Sequence, residues 1–189
     1  MARERENEMK KTSMIFGIIA AAGIAATAQA QETAQAEEAA QTATEEMRNG
    51  EMVGDWVVVC EAVTISQTQC RLVQEQSLRD TGEMVARFIA VPVSDGAILL
   101  AQVPLGVFLP GGAVYRFSGN DEVEQRNMIW QRCADTVCEA AAPLSEEELA
   151  LFAESEALLF GFRETSDGDP VVLSVGIDGF AEAIEKLRP

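Results

Sequence analysis

From Gly96 to Tyr115 the chain reads GAILLAQVPLGVFLPGGAVY, a run of 20 residues with no charge in a protein whose formal net charge is −17. A run of that length can span a bilayer as a helix. Here Pro104, Pro110 and four glycines (Gly96, Gly106, Gly111, Gly112) break it at strand-length intervals, which a lipid-spanning helix rarely accepts. Two buried strands joined by a turn fit these breaks, and Gln102–Leu109 is expected to be buried with them rather than left as an apolar patch.

The chain before this centre divides by composition. Residues 1–11 carry charges of both signs and end in Lys10-Lys11, Met14–Ala26 is an apolar run short for a bilayer, and Ala28-Gln29-Ala30 supplies small residues at −3 and −1. Residues 1–30 therefore read as a secretory signal peptide, with translation starting at Met1 or, giving a tidier n-region, at Met9. An uncleaved N-terminal anchor is the competing reading; cleavage leaves no stable membrane span. Residues 31–50 are mostly Ala, Gln, Glu and Thr, with nothing to bury before Met47, and read as a disordered acidic linker. The folded domain is placed at 51–189.

Within it, Asp55–Ala62 (DWVVVCEA) sets Trp56, Val58 and Cys60 on one face and Val57 and Val59 on the other, which reads as a strand buried on both sides. Cys70–Gln76 alternates and suits a hairpin partner. Asp80-Thr81-Gly82 signals a turn into a strand over Glu83–Val93. Beyond the uncharged centre, Ser118–Asp121 is a turn, Asn127–Cys133 a strand, and Ala157–Glu164 with Pro170–Val175 a hairpin. Ser145 three residues before Glu148 is a capping box for a short helix with Leu149 and Phe152 on its apolar face. Asp178 is expected to cap a terminal helix in which Phe180, Ile184 and Leu187 share a face. About eight short strands and two small helices predict an all-β sandwich rather than an α/β fold.

The chain contains no histidine, which removes Ser-His-Asp and Cys-His nucleophiles, imidazole zinc sites and histidine pH switches. Carboxylate or Ser-Lys chemistry is what remains. Without the leader, ten basic residues stand against 28 acidic ones, a net charge of −18. That balance disfavours nucleic acid and anionic lipid as partners and suits basic proteins, cationic peptides or divalent cations. Asp167-Gly168-Asp169 and Asn120-Asp121-Glu122 lack a full calcium-loop pattern and are explained by turn chemistry. Glu146, Glu147 and Glu148 suit the first turn of a helix through its dipole. Gly106 and Gly111-Gly112 form no phosphate-binding pattern. No catalytic, cofactor-binding or metal-ligating residue is assigned.

Four cysteines in an exported chain point to disulfides, and three pairings are possible. Cys60 with Cys70 and Cys133 with Cys138 is preferred, because each pair brackets a polar interval that suits neighbouring strand ends. A redox role for Cys133 and Cys138 lacks the C-x-x-C spacing, and a four-thiolate metal site lacks zinc-knuckle spacing.

Several motifs occur together: W-x-x-x-C at Trp56 and Cys60, then Cys70, PLGV at Pro104–Val107, the close pair Cys133 and Cys138, and GF-x-x-A-x-x-x-L at Gly179, Phe180, Ala183 and Leu187. In this order and spacing the chain resembles the invasion-associated locus B proteins of proteobacteria. Val137, where glycine is expected, and Gly176, where serine is usual, are its departures. The resemblance implies a disulfide-braced, immunoglobulin-like β-sandwich, periplasmic, outer-membrane-associated or secreted, in a family named for host-cell invasion. It implies no catalytic residues. The function expected is a non-enzymatic interaction protein with a protein partner of unknown identity in host or envelope. An envelope accessory or chaperone-like factor and a carboxylate-based hydrolase are the alternatives.

Overall fold

The computed structural model describes residues 47–119 and 123–189. The signal peptide, almost all of the acidic linker, the second half of the expected Ser118–Asp121 turn and the whole Asn120-Asp121-Glu122 triplet lie outside the described residues. Where the description begins, the chain already engages the domain: Gly50 N donates to Val58 O at 2.7 Å and Asn49 Oδ1 accepts from Cys60 N at 2.8 Å.

Ten strands follow in order: β1 (Met52–Val53), β2 (Trp56–Thr64), β3 (Gln67–Ser77), β4 (Met84–Val93), β5 (Gly96–Pro104), β6 (Ala113–Ser118), β7 (Arg126–Ala134), β8 (Val137–Leu144), β9 (Ala157–Phe162) and β10 (Val171–Val175). Among the described residues, two α-helices, α1 (Glu146–Glu154) and α2 (Phe180–Leu187), and a single 3-10 turn at Leu109–Gly111 complete the secondary structure. All pairings are antiparallel, and the strands form one sheet in the order β1-β2-β3-β4-β5-β8-β7-β6-β9-β10.

This single sheet, curled into a half-barrel, replaces the expected immunoglobulin-like sandwich. The cause lies in β7, whose two halves serve different neighbours. Arg126–Met128 pair with β6, while Ile129–Ala134 pair with β8, so the ladder passes round a corner instead of stopping at the edge of a separate sheet. Across the resulting concavity the rings of Phe88 on β4 and Phe160 on β9 meet edge to face, 5.3 Å apart.

The uncharged centre does form two strands, β5 and β6, but β8 and β7 lie between them in the sheet. Ala97, Leu99, Ala101 and Val103 of β5 are buried on the concave side. The link between the strands runs over the surface, where Leu105 is 54% and Leu109 42% exposed, so the expected burial of Gln102–Leu109 holds for Val103 but not for the two leucines. β2 differs too, since Trp56 and Val58 are buried while Val57 and Val59 are only half-buried.

Both helices lie against the concave face, α1 on β5 and β8, α2 on β3 and β4. The Ser145–Glu148 capping box forms as the sequence predicts, each side chain accepting from the other residue's backbone N–H. Asp178 does not cap α2. That position is taken by Gly179 in the left-handed region (φ +74°), which an L side chain rarely adopts. Asp178 is instead bound to the start of β2: its carbonyl accepts from Asp55 N at 3.2 Å and its N–H donates to Asp55 Oδ2 at 3.3 Å. Gly54 makes this approach possible, because a Cβ there would lie 2.1 Å from Asp178 O.

The last strand is held from inside the curl. Gln76 Nε2 donates to Ser174 O at 2.7 Å, Gln74 Nε2 to Gly176 O at 3.2 Å, and Trp56 Nε1 to Gly176 O at 3.1 Å. Behind these bonds the buried Phe180 ring stacks on Phe152 at 4.0 Å and tilts against Trp56 at 4.9 Å. Helices, sheet centre and C-terminal crossing thus share one aromatic core.

Candidate functional site

With both helices on the concave side, the opposite face of β2–β5, β8 and β7 carries no element of the described chain. Its composition follows from strand alternation. If Trp56, Val58, Leu72, Ala90, Leu99 and Ala140 point inward, then Val57, Val73, Ile89, Leu100, Ala141 and Ile129 point outward. Cross-strand register aligns these six as one row: Val57↔Val73, Val73↔Ile89, Ile89↔Leu100, Leu100↔Ala141, Ala141↔Ile129. Val91, Ile98 and Pro143 extend the apolar surface toward one end of the strands. Ile98 is 39% and Ile129 67% exposed, and the four middle residues are half-buried. Contiguous apolar surface of this kind marks sites where something binds.

A polar row runs beside it, Glu75–Arg87–Gln102–Glu139–Arg132, again in register across β3, β4, β5, β8 and β7. Arg87 Nη2 meets Glu75 Oε2 at 2.6 Å, Gln102 Nε2 donates to Glu139 Oε2 at 2.8 Å, and Arg132 Nε lies 3.7 Å from Glu139 Oε1. A trough of about 340 Å³ follows this row to the β7–β8 turn. Arg132 belongs to it because β7 bulges between Trp130 and Arg132. Simple alternation would have put Gln131 on the face of Ile129, and the extra residue turns Arg132 there instead.

Two hairpins frame the face at opposite ends. Cys60–Cys70 and Cys133–Cys138 are both bonded, and each joins residues directly opposite in a ladder, with Cα–Cα separations of 4.0 and 3.9 Å. Beyond the first bond, residues 61–69 form an exposed arm with Ile65 at its tip. A hydrogen bond from Arg71 holds the Glu61 carboxyl below the usual carboxylate range. A cleft of about 670 Å³ lies between the root of this arm and the end of α2.

The acidic candidates separate in space. Glu148 caps α1, accepts the Tyr115 hydroxyl at 2.8 Å and lies 3.5 Å from Arg126. Burial, and then the bond to Glu148, push the Tyr115 hydroxyl well above the usual phenol range. Glu146 pairs with Arg188 at 2.6 Å. On the β9–β10 loop, Arg163 donates to Gly168 O and Ser166 Oγ to Asp167 Oδ1. The described residues contain no cluster of acids or cysteines fit to hold a metal ion, and no helix long and apolar enough to cross a membrane.

Sequence reasoning misses the outward rows, although half of the signal is visible. Val57 and Val59, and Ile89 and Val91, stand out as a second apolar face, which reads equally well as further burial.

A family model described as "Invasion associated locus B (IalB) protein" matches residues 56–188. Among solved structures, the chain is similar to the crystal structure of invasion associated protein b from Bartonella henselae, with a TM-score of 0.62 at 17% identity. The similarity covers 72% of this chain and 92% of that one. No curated protein matches.

Proposed function

Since this chain belongs to the invasion-associated locus B family through residues 56–188, we propose that it is an exported, non-enzymatic interaction protein that binds another protein through the outward face of β2–β5, β8 and β7. The observation that carries this reading is the six-residue aliphatic row from Val57 to Ile129, left uncovered by both helices. The row adds nothing to the concave core; its cross-strand pairs support the sheet, yet they leave a continuous, part-exposed aliphatic band across six adjacent strands, and apolar surface of that kind is what a partner can cover. Two cross-strand disulfides suit an oxidising compartment, and with the leader they support a periplasmic, outer-membrane-associated or secreted protein. A host or envelope protein is the partner class in view.

The test is a photo-crosslinking residue at Leu100, with Ser166 on the opposite-edge loop as control, in intact producing cells. Expected is a discrete protein adduct from Leu100 that competes with added unlabelled protein. Labelling at Leu100 no stronger than at Ser166 would remove the face from consideration.

A further inference from the structure

We propose that the partner seated on this face is a second copy of the same chain, held by a twofold axis that lies in the plane of the face, parallel to β5, and passes over Gln102. The proposal rests on the interaction reading above and adds the identity of the partner.

The polar row is what singles out a second copy. Read across the sheet, its charges run negative, positive, neutral, negative, positive: Glu75, Arg87, Gln102, Glu139, Arg132. Rotation about an axis along β5 turns the face over and reverses the order of the row. Glu75 then meets Arg132 of the second copy, Arg87 meets Glu139, and Gln102 meets Gln102. Every charge faces its opposite, and the single neutral residue faces itself. A palindromic order, such as negative, positive, neutral, positive, negative, would instead set every charge against its like. Such self-complementarity is what an isologous interface requires.

Atoms are available for the added bonds. Both Arg87 donors that reach Glu75 converge on Oε2, so among the described residues Oε1 is open to another donor. The Arg132 side chain is 70% exposed and its Nε lies 3.7 Å from Glu139 Oε1, too far for a hydrogen bond, so the guanidinium is accessible to a further carboxylate. The adjacent aliphatic row obeys the same operation. Leu100 lies beside the axis and meets its own copy, Ile89 meets the smaller Ala141 on both flanks, and Val73 meets Ile129. Because the face is convex, contact is closest over β4, β5 and β8. The outermost polar pair joins a glutamate to an arginine, a side chain long enough to bridge the wider gap there.

Sedimentation velocity on the full exported chain tests the operator. The wild type should dimerise reversibly at micromolar concentration. Glu75→Arg places arginine against Arg132 at both ends of the row, and Arg132→Glu places glutamate against Glu75. Each single variant should therefore dimerise at least tenfold more weakly. An equimolar mixture of the two should recover association. In the mixed dimer the arginine introduced at position 75 of one copy faces the glutamate introduced at position 132 of the other, and at the far end of the row the native Arg132 faces the native Glu75. Gln102→Lys and Gln102→Glu, changes on the axis itself, should behave the same way singly and mixed, and they serve if an arginine variant fails to fold. Single variants that associate like the wild type, or mixtures that do not recover, would overturn the proposal. A monomeric wild type whose Leu100 crosslinks to a different protein would also overturn it while leaving the interaction reading intact. A monomer with no Leu100 adduct removes both.

Discussion

Phe180→Ala probes the joint on which the fold depends. The Phe180 ring is fully buried, stacks on Phe152 of α1 at 4.0 Å and lies 4.9 Å from Trp56 at the start of β2. Truncation removes the transfer free energy of a phenyl group, leaves a cavity bounded by two helices and a sheet, and deletes both ring contacts. Buried Phe→Ala changes cost about 3–5 kcal/mol, and the rigidity of the surrounding sheet argues for the upper half of that range. With a urea slope of about 2 kcal/mol/M, the unfolding midpoint should fall by about 2 M. Trp56, in contact with the missing ring, makes tryptophan fluorescence a direct reporter. Phe180→Leu keeps most of the volume and should cost less than about 1.5 kcal/mol. A double-mutant cycle with Phe152→Ala should give a coupling of about 0.5–1.5 kcal/mol. A midpoint shift below about 0.5 M for Phe180→Ala, or no coupling to Phe152, would refute the claim that α2 closes the core through this ring.

Replacing Cys60 and Cys70 together with serine should lower stability by about 2–3 kcal/mol, and Cys133 with Cys138 by about 2 kcal/mol because the closed loop is shorter; urea melts of the oxidised proteins check both. Tyr115 is the sole tyrosine, so phenolate absorbance reports it alone. Its pKa is raised on folding by burial and by Glu148, so its contribution to stability is complete below about pH 10, the unfolded value, and is lost as pH climbs toward the folded value. The native protein should show little phenolate at about pH 11, and a midpoint near the unfolded value would contradict the buried Tyr115–Glu148 bond. Ser145→Ala removes the cap of α1 and should cost about 1 kcal/mol in a urea melt, whereas no loss would mean that the helix is held by packing alone.

Much of the local structure is legible in the sequence. Alternation locates the strands, Ser145 with Glu148 locates α1, and the polar intervals between cysteines identify hairpins whose opposed residues are bonded. What the sequence does not show depends on pairing between distant segments. Nothing in RNMIWQRCA says that its first three residues face β6 and the remainder β8, yet that division turns a sandwich into a curled sheet. The bulge near Gln131 has no Gly to announce it, so Arg132 reads as belonging to the wrong face. Asp178 has the chemistry of a helix cap, but Asp55 claims its backbone first. The outward row is hidden for another reason: an apolar residue that packs inward and one that awaits a partner look alike in one dimension.

The glutamines of β3 bear on how the protein fares at high concentration. A sheet with two ends offers two edges on which other chains can add strands, and fibrous aggregates grow in this way. Here one end is β1, only two residues long, and at the other Gln74 and Gln76 already occupy carbonyls at and just beyond the end of β10. For a chain exported as proposed above, beyond the reach of cytosolic chaperones, these contacts shorten the edges open to strand addition, and the broad face offers a surface through which copies can meet in a closed, countable assembly.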